Sequence, residues 1–220
     1  MKRSSDITNR LLSIYERLND HFGDCNWWPG ETPLEVAVGA ILTQNTNWAN
    51  VEKAIGNLKS SNLLSPRGLL EENDDTVAKL IRPSGYYNVK TKRLKAFLRF
   101  LTNEYGGDME RMGEEDLPTL RGKLLCIKGI GEETADSILL YGFGKAIFVV
   151  DAYTRRILGR HGIIDDTYSY RDIQELFMTH LTPDVALYNQ YHALLVNTGK
   201  EFCRRERRCE TCPLHEKAQS

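Results

Sequence analysis

Ile127-Lys128-Gly129-Ile130-Gly131 constrains the fold more than any other stretch of the chain. Gly129 and Gly131, framed by apolar residues and lying between two helical patterns, make a turn that presents backbone rather than side chains to a partner. Glycine has no Cβ, so it tolerates positive φ and lets a partner approach the amides closely. A helix opening at such a turn points unbonded N–H groups and the positive end of its dipole outward, which suits a phosphate. Further along, the apolar run Ala146-Ile147-Phe148-Val149-Val150 ends at Asp151. A carboxylate placed there needs a reason, and two offer themselves: a helix cap, or chemistry on a bound nucleotide.

Elsewhere apolar residues recur mainly at helical spacing. Ile7, Leu11, Leu12, Ile14, Tyr15 and Leu18 define a first helix over 6–22. Thr32-Pro33-Leu34-Glu35 reads as a helix start, with a capping hydroxyl, proline in the first turn and an acid at the third position. That helix is expected to run to Gln44. Others are expected over 48–58, 69 or 73 to 81, 90–104, 117–125, 133–141, 154–161, 169–180 and 186–199. Ile147 to Val150 has strand-like composition but is too brief to make a sheet. The expected fold is all-α: two helical subdomains with a cleft between them. Residues 30–140 form the central one, with the hairpin at 120–140. Residues 1–29 and 141–220 form the other, ending in a cysteine loop over 203–212.

With 220 residues, 41% of them hydrophobic and 27% charged, the chain can bury a sizeable core. Its net charge of −1 does not announce nucleic acid, although local clusters can outweigh the total. Lys90, Lys92, Arg93, Lys95 and Arg99 form one cluster, Arg155, Arg156 and Arg160 another, and Lys200, Arg204, Arg205, Arg207 and Arg208 a third. Each reads either as a solvated helix face or as a phosphate contact. The chain has no long apolar run and its first residues lack a signal-peptide core, so an intracellular, cytoplasmic protein without a membrane segment is expected. Five cysteines, three of them at 203, 209 and 212, suit a reducing compartment and a metal better than disulfides. Cys25 and Cys126 read as buried thiols.

The segment from Ile127 to Gly131, with its loop and Asp151, resembles the helix-hairpin-helix and catalytic aspartate of endonuclease III-type DNA glycosylases. Leu42-Thr43-Gln44-Asn45-Thr46 and Gly85-Tyr86-Tyr87-Asn88-Val89-Lys90 fall where that superfamily carries related segments, in the same order. Within it, Trp27-Trp28-Pro29, Leu42 to Trp48 and Arg82 to Asn88 are most similar to the 3-methyladenine DNA glycosylase III type. The resemblance implies a DNA glycosylase acting on duplex DNA with a flipped, damaged base. It also implies a departure: bifunctional members carry a Schiff-base lysine where this chain has Glu133, and a glutamate cannot form one. Lys128 is a nearby amine at a different hairpin position. A monofunctional enzyme leaving an abasic site is therefore expected.

In that reading Asp151 is the catalytic carboxylate, stabilising positive charge on the sugar or orienting water. Trp27, Trp28, Pro29 and Trp48 form the base pocket; a core role for these tryptophans is the alternative. Electron-rich rings suit the cationic base of an alkylated purine. Gln44 and Tyr86 are candidates to fill the gap left by the flipped nucleotide, and Lys128, Gly129, Ile130 and Gly131 to hold a phosphate. Cys203, Cys209 and Cys212 resemble the family's cluster loop with a shortened first gap, the fourth position falling near Ala218. A [4Fe-4S] cluster with an incomplete cysteine set, a zinc site completed by His215, and a metal-free loop all remain open. So do a mismatch, uracil or oxidised-pyrimidine glycosylase of the same fold and a non-catalytic damage-binding module. A monomer is the simplest expectation.

Overall fold

The computed structural model describes residues 2–204, 206 and 208–215, with side chains from residue 6 onward. Its ordered elements are helices: α1 (Lys2–Phe22), α2 (Pro33–Leu42), α3 (Trp48–Ser60), α4 (Pro66–Glu71), α5 (Asp74–Leu80), α6 (Tyr87–Tyr105), α7 (Met109–Gly113), α8 (Leu117–Leu125), α9 (Glu132–Ser137), α10 (Ala152–Arg160), α11 (Tyr170–His180) and α12 (Val185–Glu201). A 3-10 turn at Arg82–Ser84 precedes α6, and a π-helical turn at Ile138–Gly142 continues α9. No β-sheet forms among the described residues. The chain is all-α, as its periodicity predicts.

The helix starts follow local chemistry. Thr32 caps α2 by accepting from the Glu35 amide, with Pro33 in the first turn. Ser65, Asn73, Asp108, Asp116 and Asp184 cap their helices in the same way. Ser169 and Asp172 make a reciprocal capping box on α11. Such caps each contribute about 1 kcal/mol, so these boundaries are locally encoded.

The chain divides into two compact units. The first comprises Met1–Trp27 with Ala146–Ser220, the second Trp28–Lys145. The first unit packs α1, α10, α11 and α12 around the apolar run before Asp151. Ile147, Phe148, Val149 and Val150 are buried and non-helical. The Phe148 ring stacks on Phe177 of α11 at 3.7 Å, and Gln174 Nε2 donates to Phe148 O at 2.7 Å. The run's apolar character thus serves burial, with no strand pairing. Tyr191 of α12 lies edge-on to Phe148 and donates its hydroxyl to Leu11 O on α1 at 2.8 Å.

The second unit is organised around α2, in which residues 34 to 42 are all buried. Within this core Lys90 of α6 is also buried, its ammonium donating to Leu42 O at 2.8 Å and Ser84 O at 2.6 Å. Lys95 is buried as well and pairs with Asp74 at 2.6 Å. The basic cluster on α6 is therefore not one solvated face: Lys90 and Lys95 turn inward, and Lys92 and Arg99 are exposed. Cys126 is exposed and Cys25 half-buried, so neither is the fully buried thiol that the sequence suggests.

Candidate active site

In the second unit, α8 and α9 form a helical hairpin around residues 126–131. Ile127 and Ile130 are buried and anchor the turn, while Lys128 between them is exposed. The Ile130 amide donates back to Ile127 O at 3.0 Å. Gly129 has φ +95°, and a Cβ there would lie 2.5 Å from Arg93 Cγ. This position needs glycine on both counts. Gly131 caps α9 without a side-chain acceptor, so the first amides of that helix have no side-chain cap. Glu132 and the exposed Glu133 occupy its first turn. Arg121 of α8 grips Asp136 of α9 through two bonds of 2.7 and 3.0 Å, and Asp136 is fully buried.

Gln44 lies just beyond α2 and is tied to this hairpin. Its Nε2 donates to Gly129 O at 3.2 Å and to Thr134 Oγ1 at 2.8 Å, and Arg93 donates to its Oε1. Tyr86 lies at the start of α6 with φ +45° after Gly85 at +69°, and it is 71% exposed. That combination is costly for a large aromatic residue, in both backbone strain and apolar exposure.

Trp28 and Trp48 meet edge to face at 4.8 Å, their planes 77° apart. Trp28 also stacks on Tyr141 of the π-helical turn at 4.9 Å and 21°. Gly39 of α2 makes room for both indoles: a Cβ there would lie 3.2 Å from Trp48 Cη2 and 3.5 Å from Trp28 Cζ2. Pro29 is exposed beside them. The two tryptophans are in direct contact and not the parallel walls of an open slot. Tyr141, which sequence reasoning passed over, lies nearly parallel to Trp28.

The boundary between the units falls between Trp27 and Trp28, so Trp27 belongs with Asp151. Asp151 ends the buried extended run and caps α10, its Oδ1 accepting from the Thr154 amide at 2.7 Å. Its Oδ2 lies 3.6 Å from His192 Nε2 on α12. The Asp151 side chain is 11% exposed. Burial alone would push this carboxyl up, but His192 and the Thr154 amide outweigh it and hold the group below the usual aspartate range. Trp27 lies edge-on to His192 at 6.4 Å, and the Lys200 ammonium sits 5.4 Å from the Trp27 ring centre. Desolvation lowers the Lys200 pKa, and the field of Asp151 opposes that shift. The cap and the buried anion thus coexist in one residue.

Sequence reasoning missed His192, and it read Lys200 only as one member of a basic cluster and not as a neighbour of Trp27. His192 lies within the apolar pattern Tyr188, Tyr191, Leu194 and Leu195, where a lone histidine reads as core. Arg155, read from the sequence as a candidate phosphate contact, and Lys145, beside the first unit's boundary, are both committed to carbonyls. Lys145 donates to Gly113 O at 3.0 Å and to Glu115 O, and Arg155 donates to Tyr168 O.

In the cysteine loop, Cys203 Sγ accepts from Arg160 Nη1 at 3.1 Å, and the Cys212 amide donates to Cys209 O at 3.1 Å. Burial pushes the Cys212 thiol up, and Cys203 and Cys209 add to the shift. Among the described residues no group of three or more His, Cys, Asp or Glu side chains is arranged to hold a metal ion. Three thiols fall one short of a four-thiolate cluster, and among the described residues His215 is not arranged with them as a zinc set. Arg205, Arg207 and Ala218 lie outside the described residues. Also among the described residues, no helix is long and apolar enough to cross a membrane.

Comparison with known proteins agrees with this geometry. Residues 38–183 match the family described as "HhH-GPD superfamily base excision DNA repair protein". A Methanocaldococcus jannaschii protein named as an inferred DNA repair glycosylase, MJ1434, is 49% identical over 94% of both chains. The crystal structure of Helicobacter pylori 3-methyladenine DNA glycosylase (MagIII) bound to 1,N6-ethenoadenine superposes with a TM-score of 0.72. It is 28% identical, over 90% of this chain and 97% of that one. An endonuclease III–DNA covalent intermediate shares the fold at a TM-score of 0.81, with 19% identity over 94% and 93%. The chain therefore belongs to the HhH-GPD superfamily of base-excision DNA repair proteins and is a DNA repair glycosylase of that family.

Proposed function

We propose that the chain is a monofunctional DNA glycosylase that hydrolyses the N-glycosidic bond of alkylated purines such as 3-methyladenine, leaving an abasic site. The observation that carries this reading is the Asp151 carboxylate, buried yet held ionised by His192 and the Thr154 amide. As the C1′–N bond breaks, its electron pair leaves with the base and the sugar becomes an oxocarbenium cation. A fixed anion stabilises that cation, and water then adds to C1′, its proton passing to Asp151 or to solvent. An N3-alkylated purine is cationic before cleavage and departs neutral, so no acid need protonate it. The flipped base stacks on indole, the candidate pocket residues being Trp28, Pro29 and Trp48 in the second unit and Trp27 in the first. The amides of Gly129 and Gly131 and those that open α9 hold a backbone phosphate beside the exposed Lys128, Ile130 anchors the turn, Tyr86 fills the gap in the duplex, and Gln44 braces the hairpin. Glu133 supplies no amine, so strand cleavage does not follow base loss. The enzyme acts as a monomer on duplex DNA, and the cysteine loop carries no step.

One observation favours a second reading, a neutral base. The Trp27 face already carries the Lys200 ammonium, and a second cation on the same ring is disfavoured. The ethenoadenine bound by the Helicobacter enzyme is a neutral adduct.

Base release from duplexes carrying 3-methyladenine, 1,N6-ethenoadenine, uracil or a thymine mismatch, resolved by chromatography, tests both. Wild type is expected to free 3-methyladenine and leave the strand intact until alkali, while Asp151→Asn frees none. Release of a neutral base alone selects the second reading. Tight binding to an abasic analogue by both proteins, with no base freed, makes the protein a damage-binding module.

A further inference from the structure

We propose that His192 is a positioning residue that holds the Asp151 carboxylate, through Oδ2, in the orientation from which it meets a reacting sugar. The proposal rests on the reading of Asp151 given above and adds the group that aims it. The Thr154 amide fixes Oδ1 at 2.7 Å as part of the helix cap. That contact alone leaves the carboxylate free to swing about its last side-chain bond. His192 Nε2, 3.6 Å from Oδ2, supplies the second point.

The imidazole is itself well placed to act as a fixed reference. His192 is 4% exposed on α12, between the buried Tyr191 and Ala193, and its ring lies against Trp27. A polar ring buried among apolar neighbours is costly unless partnered, and Asp151 is a partner that lowers that cost. A separation of 3.6 Å is long for a hydrogen bond in the absence of substrate. Contacts of this kind commonly tighten when substrate binds. Lys200 lies two helical turns further along α12. Its charge reaches Asp151 through space while its ammonium rests on Trp27, so the two residues divide the work: Lys200 supplies field and His192 supplies direction.

The test compares wild type with His192→Gln, which retains a side-chain N–H, and His192→Leu, which does not. Single-turnover base release and affinity for an abasic-analogue duplex are measured in parallel. His192→Leu is expected to slow release ten-fold or more with affinity unchanged, and His192→Gln to recover most of that rate. Equal impairment of both variants, or of neither, overturns the proposal. A second measurement needs no substrate: the 13C titration of the Asp151 carboxyl is expected to move to higher pH in His192→Leu and in His192→Asn. An unmoved titration overturns the pairing. If wild type frees no base, the functional reading fails, and the carboxyl titration still decides the role of His192.

Discussion

Single residues carry two roles at once here, and substitutions separate them. Asparagine caps a helix about as well as aspartate. Asp151→Asn is therefore expected to keep the melting temperature within a few degrees and to lose about a hundred-fold or more in base release. Asp151→Ala loses the cap as well, at about 1 kcal/mol, which a denaturant titration reads. The Asp151 carboxyl is depressed below its unfolded value of 3.8. Its contribution to stability is thus fully present above that value and is lost as pH falls through the lower, folded one. The difference in stability between wild type and Asp151→Asn should accordingly be flat at neutral pH and change only in acid. Lys90 gives the same sign of pH dependence in the alkaline range, although here the shift reflects a cost of burying charge. Burial, with Arg93 nearby, lowers its pKa from 10.5 to about 8. Between those values the unfolded chain holds a proton that the folded chain has shed, so folding becomes more favourable as pH rises. Wild type should gain stability between pH 8 and 10.5 relative to Lys90→Met, measured as the shift in denaturant midpoint. The burial of Lys90 and Lys95 was not legible in the sequence, because a helix rich in lysine does not show which of its lysines carbonyls will receive. His192 was illegible for the converse reason, its neighbours being apolar.

At the scale of elements, most of the architecture was legible because it is local. The cap at Thr32, the proline after it and the extent of α8 follow from a few adjacent residues and a long apolar period. The short helices α4 and α7 were not legible, because one or two turns leave too little periodicity to read. The π-helical turn after α9 likewise has no sequence signature, and it is what carries Tyr141 onto Trp28. The hairpin offers two contrasting glycines. Gly129 has φ +95° and the Arg93 side chain where a Cβ would go. Gly129→Ala should therefore destabilise by about 1–3 kcal/mol. Gly131 has φ −96° and nothing within 4 Å of a Cβ. Gly131→Ala should leave stability unchanged and weaken binding to duplex DNA if the amides approach a phosphate. Thermal melts alongside fluorescence anisotropy would show whether the two effects dissociate in this way. The hairpin's rigidity has its own source in Arg121. Arg121→Met takes the guanidinium from a fully buried carboxylate and should cost about 3–5 kcal/mol. The partly exposed Glu132 contact adds little to that figure.

At the scale of the whole molecule, a DNA-binding protein with a net charge of −1 poses a question of grip. Many of its cations are already engaged. Lys59 pairs with Glu31 and Glu35, Lys95 with Asp74, Lys123 with Glu115, and Arg121 with Asp136. Lys90, Lys145, Arg155, Arg156 and Arg160 donate to backbone carbonyls. A cation spent inside the fold releases no counterion from DNA, and a backbone amide that holds a phosphate carries no charge to release one. The salt dependence of binding should therefore be shallow. The plot of log affinity for an abasic-analogue duplex against log salt, between about 50 and 200 mM, is expected to have a slope weaker than about −4. A slope approaching about −10 would mean that many phosphates are neutralised by lysine and arginine. Exposed cations such as Lys92, Arg99, Lys128 and Arg208 would then carry the affinity, and the hairpin amides would only set register. Gly131→Ala separates these cases, because an added methyl that blocks an amide contact should lower affinity without changing the slope. A Lys128→Ala variant should instead lower the slope by about one.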